Sequence, residues 1–181
     1  PEIAEAVLSW KGIKGYVNKK DQNDQTPLYA AVCKGDAVTI KRLLALGAGE
    51  TLMRPTKGGR CILSDVIARQ NRDIIDAFLS WEGIKDYVNS EDKHGQRPLH
   101  FACINKDVWV VKRLFELGAT EDFSRILGNG LTLLNEVICN SPPEIAEAVL
   151  SWKGIKGYVN KKDQNDQTPL YAAVCKGDAV T

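Results

Sequence analysis

The sequence predicts an all-α solenoid, in which pairs of short helices recur along the chain and stack on one another with short hairpin turns between units. Residues 1–39 recur without a single change as residues 143–181. Residues 21–91 also align without gaps with residues 92–162. Two short apolar helices in a repeating period of this size are typical of solenoid architectures. The same local pattern restarts near positions 21, 56, 92, 127 and 163.

These restarts divide the chain into units of 35 and 36 residues that alternate. Neither helix pair can bury its apolar face alone, so neighbouring units stack and share a continuous core. We therefore predict that residues 1–181 form a single array. It consists of a half unit 1–20, the complete units 21–55, 56–91, 92–126 and 127–162, and a half unit 163–181.

The first helix of unit 21–55 has a clear start and a clear end. Pro27 suits the first helical position, because its φ is preset and it lacks an N–H that would be unpaired there. Thr26 directly before it can cap the helix, which we expect to end near Gly35. The second helix carries apolar residues at helical spacing and ends at Gly47, where positive φ is needed. The residues that we expect to be fully buried are Leu28, Leu43, Leu99 and Leu114.

The longer units contain an additional segment after the second helix. Residues 80–89 read SWEGIKDYVN, and close copies stand at 9–18 and 151–160. We expect the tryptophan and the Ile, Tyr and Val side chains to fold back over the end of the second helix. Three copies favour a packing role over a ligand-binding role.

Three segments carry a resemblance to a known family. Residues 26–31 read TPLYAA, residues 97–102 read RPLHFA, and residues 43–48 read LLALGA. These segments resemble the ankyrin repeat, in which a Thr-Pro-Leu-His turn opens the first helix and a Gly-Ala pair closes the second. The resemblance extends over the whole chain, but it is weaker in the longer units, which lack the proline at Ile62 and Leu133. It implies a non-catalytic scaffold for contacts with other proteins.

Composition excludes several other functions. The net charge of +1 contains no block of like charge, which argues against nucleic-acid binding, and no apolar segment is long enough for membrane insertion. Only two histidines occur: the resemblance assigns His100 a structural role in its turn, and His94 lies at a predicted turn tip. We therefore predict no enzyme activity, no metal and no cofactor. Five scattered cysteines favour reduced thiols, and hence a cytoplasmic location or delivery into a host cytoplasm.

The resemblance also implies where a protein partner would bind, namely the turn tips and the exposed face of the first helices. On those helices one position is apolar in every unit, which suggests a contact surface. The alternative is that the neighbouring helix half-covers these side chains, and that the basic tips are merely solvated. The candidate residues are Gln22, Asn23, Gln25, Lys57, Arg60, Lys93, His94, Gln96 and Arg97 at the tips, with Cys33, Ile104 and Cys139 on the helices.

A second hypothesis from a different class is a structural one. The sequence begins and ends within a repeat unit. The exact recurrence of its first 39 residues at its end is what we expect of a segment taken from a longer periodic array. Such an array, or copies stacked head to tail, would form a superhelical filament or tether. The residues that we expect to be exposed for end stacking are Ile3, Val7 and Leu8 at one end, and Leu170, Ala172 and Val174 at the other.

Overall fold

The computed structural model describes residues 6–52, 56 and 58–175. Their regular secondary structure is helical, apart from an isolated antiparallel bridge between Ile126 and Thr132. This confirms the predicted all-α repeat fold. The α-helices are α1 Pro27–Lys34, α2 Ala37–Ala45, α3 Ile62–Ala68, α4 Arg72–Leu79, α5 Pro98–Ile104, α6 Val108–Glu116, α7 Leu133–Asn140, α8 Pro143–Leu150 and α9 Pro169–Cys175.

Side-chain caps explain where the helices begin. The side chains of Thr26, Cys61 and Thr132 each accept a hydrogen bond from the backbone N–H three residues later. The cap satisfies one of the N–H groups that the first turn of a helix leaves without a partner. The longer units therefore keep a start signal although they lack the proline. The second helices α2, α4 and α6 are capped in the same way by Asp36, Asn71 and Asp107.

Glycines in the left-handed region follow α1, α2 and α6, as predicted. Gly35 follows α1 with φ 75°, Gly47 follows α2 with φ 99°, and Gly118 follows α6 with φ 88°. Side chains rarely adopt this conformation because Cβ crowds the backbone, which is why glycine is preferred here.

The tryptophan segments of the longer units pack on the fold as the sequence predicts. Trp81 stacks on Tyr87 with ring centroids 5.9 Å apart, and Trp152 stacks on Tyr158 at 6.3 Å. The ring of Trp81 lies so close to Gly49 that a Cβ there would approach it to 2.2 Å. The segments also contain short 3-10 helices, at Ile13–Gly15, Glu82–Asp86 and Lys153–Gly157.

The helices belong to two compact bodies, residues 1–98 and residues 99–181. In the first body, α1 packs on α2, α3 packs on α4, and α2 packs on α4. In the second body, α7 packs on both α8 and α9, and α6 packs on α8. Within each body, equivalent helices of successive repeats therefore lie against each other, as stacking requires.

The buried side chains are those that the helical spacing predicts. Leu28, Leu99 and Leu114 are 0% exposed, and Leu43 is 2% exposed. Ile84 and Val88 of the central tryptophan segment are also buried. The core of each body is thus made by the inward faces of the helices together with these segments.

Candidate partner-binding surfaces

One aspartate organises each turn that precedes a proline-opened first helix. Oδ1 of Asp21 accepts hydrogen bonds from the N–H groups of residues 23 and 25, at 2.8 and 2.9 Å. In the same way, Oδ1 of Asp92 accepts from the N–H groups of residues 94 and 96, and Oδ1 of Asp163 accepts from those of residues 165 and 167. Each turn therefore has a fixed backbone, which presents the tip side chains at low entropic cost. Sequence reasoning missed these three residues, although an aspartate stands at the first position of each of these units.

Most of the predicted tip residues are accessible. Gln22, Asn23, Arg60, Lys93 and His94 are exposed, and Gln25, Gln96 and Arg97 are half-buried. Lys57 lies outside the described residues. The guanidinium of Arg97 donates to Glu91 through Nε at 3.1 Å and Nη2 at 2.7 Å, so this side chain is already engaged within its own turn.

Neighbouring turns are joined within each body. The N–H of Lys93 donates to the carbonyl of Gly59 at 3.0 Å in the first body. The N–H of Gln164 donates to the carbonyl of Gly130 at 3.0 Å in the second. The stem of Lys93 also covers Gly59, since a Cβ at that glycine would lie 2.2 Å from Lys93 Cδ. In each body, one pair of successive tips is therefore linked by a backbone hydrogen bond.

The apolar positions on the first helices differ in their exposure. Cys33 is exposed and Ile104 is 40% exposed. Cys139 is half-buried, because α9 packs beside it and its thiol lies 3.8 Å from the carbonyl oxygen of Ala172. The structure thus leaves α1 and α5 open at this position, whereas the following helix partly covers α7.

Polar clusters that sequence reasoning did not identify lie beside these apolar positions. In the first body, Arg69 binds Asp65 at 2.9 Å close to Tyr29 and Cys33. Burial, and then the neighbouring Cys33 thiol, raise the pKa of Tyr29 above its ordinary value. Because these residues come from two different helices, their contact is set by stacking and carries no signal in the sequence. In the second body, Oε2 of Glu136 accepts from the amides of Asn129 at 2.8 Å and Asn140 at 3.0 Å.

Two of the five cysteines are packed thiols. All five are present as thiols, and Cys61 and Cys103 are buried. Burial raises the pKa of both thiols, which disfavours the nucleophilic thiolate. Over the described part of the chain, no group of three or more His, Cys, Asp or Glu side chains could hold a metal ion.

The N-terminal stacking face requires one correction. Val7 is 52% exposed, whereas its counterpart Val149 is 0% exposed because α6 packs on α8. Leu8 is half-buried, and its counterpart Leu150 is itself 47% exposed. Leu8 is therefore not a residue that a preceding repeat would cover, and its assignment to this face is wrong. Ile3 lies outside the described residues.

The C-terminal face requires a similar correction. Leu170 is 74% exposed and Val174 is 69% exposed, whereas their counterparts Leu28 and Val32 are 0% and 3% exposed. Ala172, in contrast, is 3% exposed. The prediction that Ala172 is bare is wrong, because this side of α9 is turned towards α7.

The comparisons with known proteins agree with the repeat architecture. A family model described as "Ankyrin repeat" matches residues 94–123. The chain is 25% identical over 151 residues to the probable 26S proteasome regulatory subunit p28 of Saccharomyces cerevisiae, an alignment of 83% of this chain and 64% of that protein. It is 28% identical over 176 residues to Rabankyrin-5 of Homo sapiens, which is 93% of this chain and 14% of that protein. The chain thus spans less than two thirds of either relative.

Among the helices of the described residues, none combines the length and the apolar character that crossing a bilayer demands.

Proposed function

Because this chain is built of ankyrin repeats, we propose that it is a non-catalytic scaffold that binds another protein through its turn tips and the open sides of its first helices. Ankyrin repeats generally act as interaction modules, and a rigid surface with accessible side chains suits that role. The observation that carries the proposal is that the turn tips combine a fixed backbone with exposed side chains, among them Gln22, Asn23 and His94. The cytoplasmic location stays a prediction.

Site-specific photocrosslinking in cells tests this assignment. A photoreactive amino acid at Asn23 or His94 should crosslink to the same partner, whereas one at Lys112, on the outside of α6, should not. With the crosslinked protein purified, Asn23→Arg should weaken its binding by about tenfold, which corresponds to about 1.4 kcal/mol. Crosslinking only from Lys112, or binding that Asn23→Arg leaves unchanged, would contradict the proposed surface.

A specific observation also favours a structural function as the second candidate. Leu28 and Leu170 belong to segments of identical sequence, yet Leu28 is 0% exposed and Leu170 is 74% exposed. We infer that the face formed by Leu170 and Val174 receives a repeat equivalent to residues 56–91. That repeat would come from another copy or from a continuation of the array. Repeated head-to-tail contacts of this kind generate an open filament, unless the rotation closes a ring.

Electron microscopy and sedimentation at high protein concentration test the filament. Val174→Asp should abolish end-to-end assembly, because it places a charge on a face that must be buried. The matched control is Val38→Asp, which places the same charge on α2 at a side chain that is 67% exposed. Assembly that both variants retain, or that both lose, would sink the stacking hypothesis.

A further inference from the structure

Two loops of the first body share one fold and carry opposite charge. Residues 10–21, the basic loop, and residues 81–92, the acidic loop, each contain a Trp–Tyr stack followed by a turn. The basic loop has four lysines and one aspartate, whereas the acidic loop has one lysine and four carboxylates. The lysines of the basic loop are exposed, and so are Glu82, Asp86 and Glu91 of the acidic loop.

Both loops lie on the same edge of the first body. The amide of Asn18 in the basic loop donates to the carbonyl of Gly47 at 3.2 Å. Trp81 of the acidic loop packs against Gly49. The two loops therefore flank the turn that contains the 3-10 helix Ala48–Thr51, and both face solvent beside it.

Electrostatic interaction between the two loops of one chain does not explain why their charges are opposite. Helices pack about 8–10 Å apart, so loops two repeats apart are separated by roughly 16–20 Å. The Debye length at physiological ionic strength is about 8 Å, so exposed charges at that separation are largely screened. The opposite charges of the two loops can therefore act only on a molecule that approaches this edge closely, within the range of hydrogen bonds and ion pairs.

We propose that this edge binds the same edge of a second copy of the chain, with the basic loop of each copy against the acidic loop of the other. A two-fold axis between the copies pairs both loops at once. In such an interface, the basic loop of the first copy contacts the acidic loop of the second, and the acidic loop of the first contacts the basic loop of the second. The exposed charges fit this arrangement in sign, with Lys11 and Lys14 on the basic loop and Glu82 and Asp86 on the acidic loop. A parallel, in-register approach brings like charges together and is disfavoured.

The interaction is weak and sensitive to salt, since exposed ion pairs stabilise little individually and are screened by electrolyte. In sedimentation equilibrium on the 181-residue chain, we expect dimers at about 0.02 M NaCl and loss of dimers at about 0.5 M NaCl. Glu82→Lys with Asp86→Lys should weaken dimerisation at low salt by about tenfold or more, because it turns attraction into repulsion. Adding Lys11→Glu and Lys14→Glu to that variant should restore dimerisation in part, because the loops then again carry opposite net charges, −1 and +1 in place of +3 and −3.

A matched control distinguishes an effect of the loop charges on dimerisation from an effect of the net charge of the chain. Glu144→Lys with Glu147→Lys changes the net charge by the same amount on exposed positions of α8, and it should leave dimerisation unchanged. Circular dichroism of each variant reports whether the helices remain intact.

Three outcomes overturn the proposal. The first is a chain that stays monomeric at low salt, and binding of polyglutamate by that monomer would assign the basic loop to a foreign acidic partner. The second is a dimer that the loop variants leave unchanged but Val174→Asp abolishes, which would assign association to the ends. The third is a fourfold variant that dimerises no better than the double variant, which would exclude pairing between these two loops.

Discussion

Truncation of two leucines in identical local sequences separates the effect of packing against neighbouring helices from that of helix formation. Leu28 on α1 and Leu170 on α9 each follow a proline and precede Tyr-Ala-Ala-Val-Cys, but they are 0% and 74% exposed. Leu28→Ala removes buried methyl groups and leaves a cavity, so it should destabilise the first body by about 2–5 kcal/mol. Leu170→Ala changes a mostly solvated side chain and should remain within about 0.5 kcal/mol of the unmodified chain. Helix propensity favours alanine slightly and equally at both sites, so it cancels in the comparison.

Urea unfolding measures this difference. The fluorescence of the tryptophans and the helical circular dichroism should be followed together, because repeat arrays do not always unfold in one step. The protein must be dilute, so that end-to-end contacts through Leu170 do not contribute to its apparent stability. Equal losses for the two variants would refute the argument, since they would mean that α1 gains no more from its neighbour than α9 does. A loss confined to Leu170→Ala would place the stacking face on the wrong side of the helix.

Three further outcomes are expected from the contacts described above. Leu114→Ala should lower the free energy of unfolding by about 2–5 kcal/mol in urea titrations, and a change within experimental error would show that the buried face of α6 is misassigned. Ser64→Asn should raise the unfolding free energy by about 0.5–1.5 kcal/mol, because Oδ2 of buried Asp92 has no hydrogen bond in the described structure, and an amide at position 64 could donate to it. The new hydrogen bond would be equivalent to the one that the amide of Asn135 donates to Asp163 at 3.0 Å in the second body. A lower melting temperature of Ser64→Asn in calorimetry would contradict this prediction. The hydroxyl and then the N–H of Thr39 hold the pKa of Asp36 below its usual value, so Asp36→Ala should destabilise by about 0.5–2 kcal/mol at neutral pH. The cap stabilises above the unfolded pKa of about 3.9 and loses its effect as pH falls through the lower folded pKa. The difference between Asp36→Ala and the unmodified chain should therefore shrink in acid, and unfolding curves in which it stays constant with pH would rule out the carboxylate as its source.

Much of the candidate surface could be predicted from the sequence, and the parts that could not share a physical cause. The tip residues Gln22, Asn23 and His94 were predicted because turn chemistry is local and the family pattern marks its position. The pairing of Asp65 and Arg69 with Tyr29 could not be predicted, because α1 and α3 come together only through stacking. The covering of Cys139 by α9 was left open for the same reason, as the sequence does not say how far a neighbouring helix extends.

The sequence by itself determined the helices and their limits. Thr26 and Pro27 start a helix, Gly35 ends it, and the next helix shows its apolar side by its spacing, all from interactions within a few residues. Only the tertiary structure decided which apolar residues are covered. Residues 27–34 and 169–176 are identical, and both begin a helix at their proline, yet Leu28 is buried and Leu170 is not. Helix formation is a local property of the chain, whereas burial requires a neighbour on the right side. A repeat therefore has a fixed shape, but its environment depends on what stacks upon it.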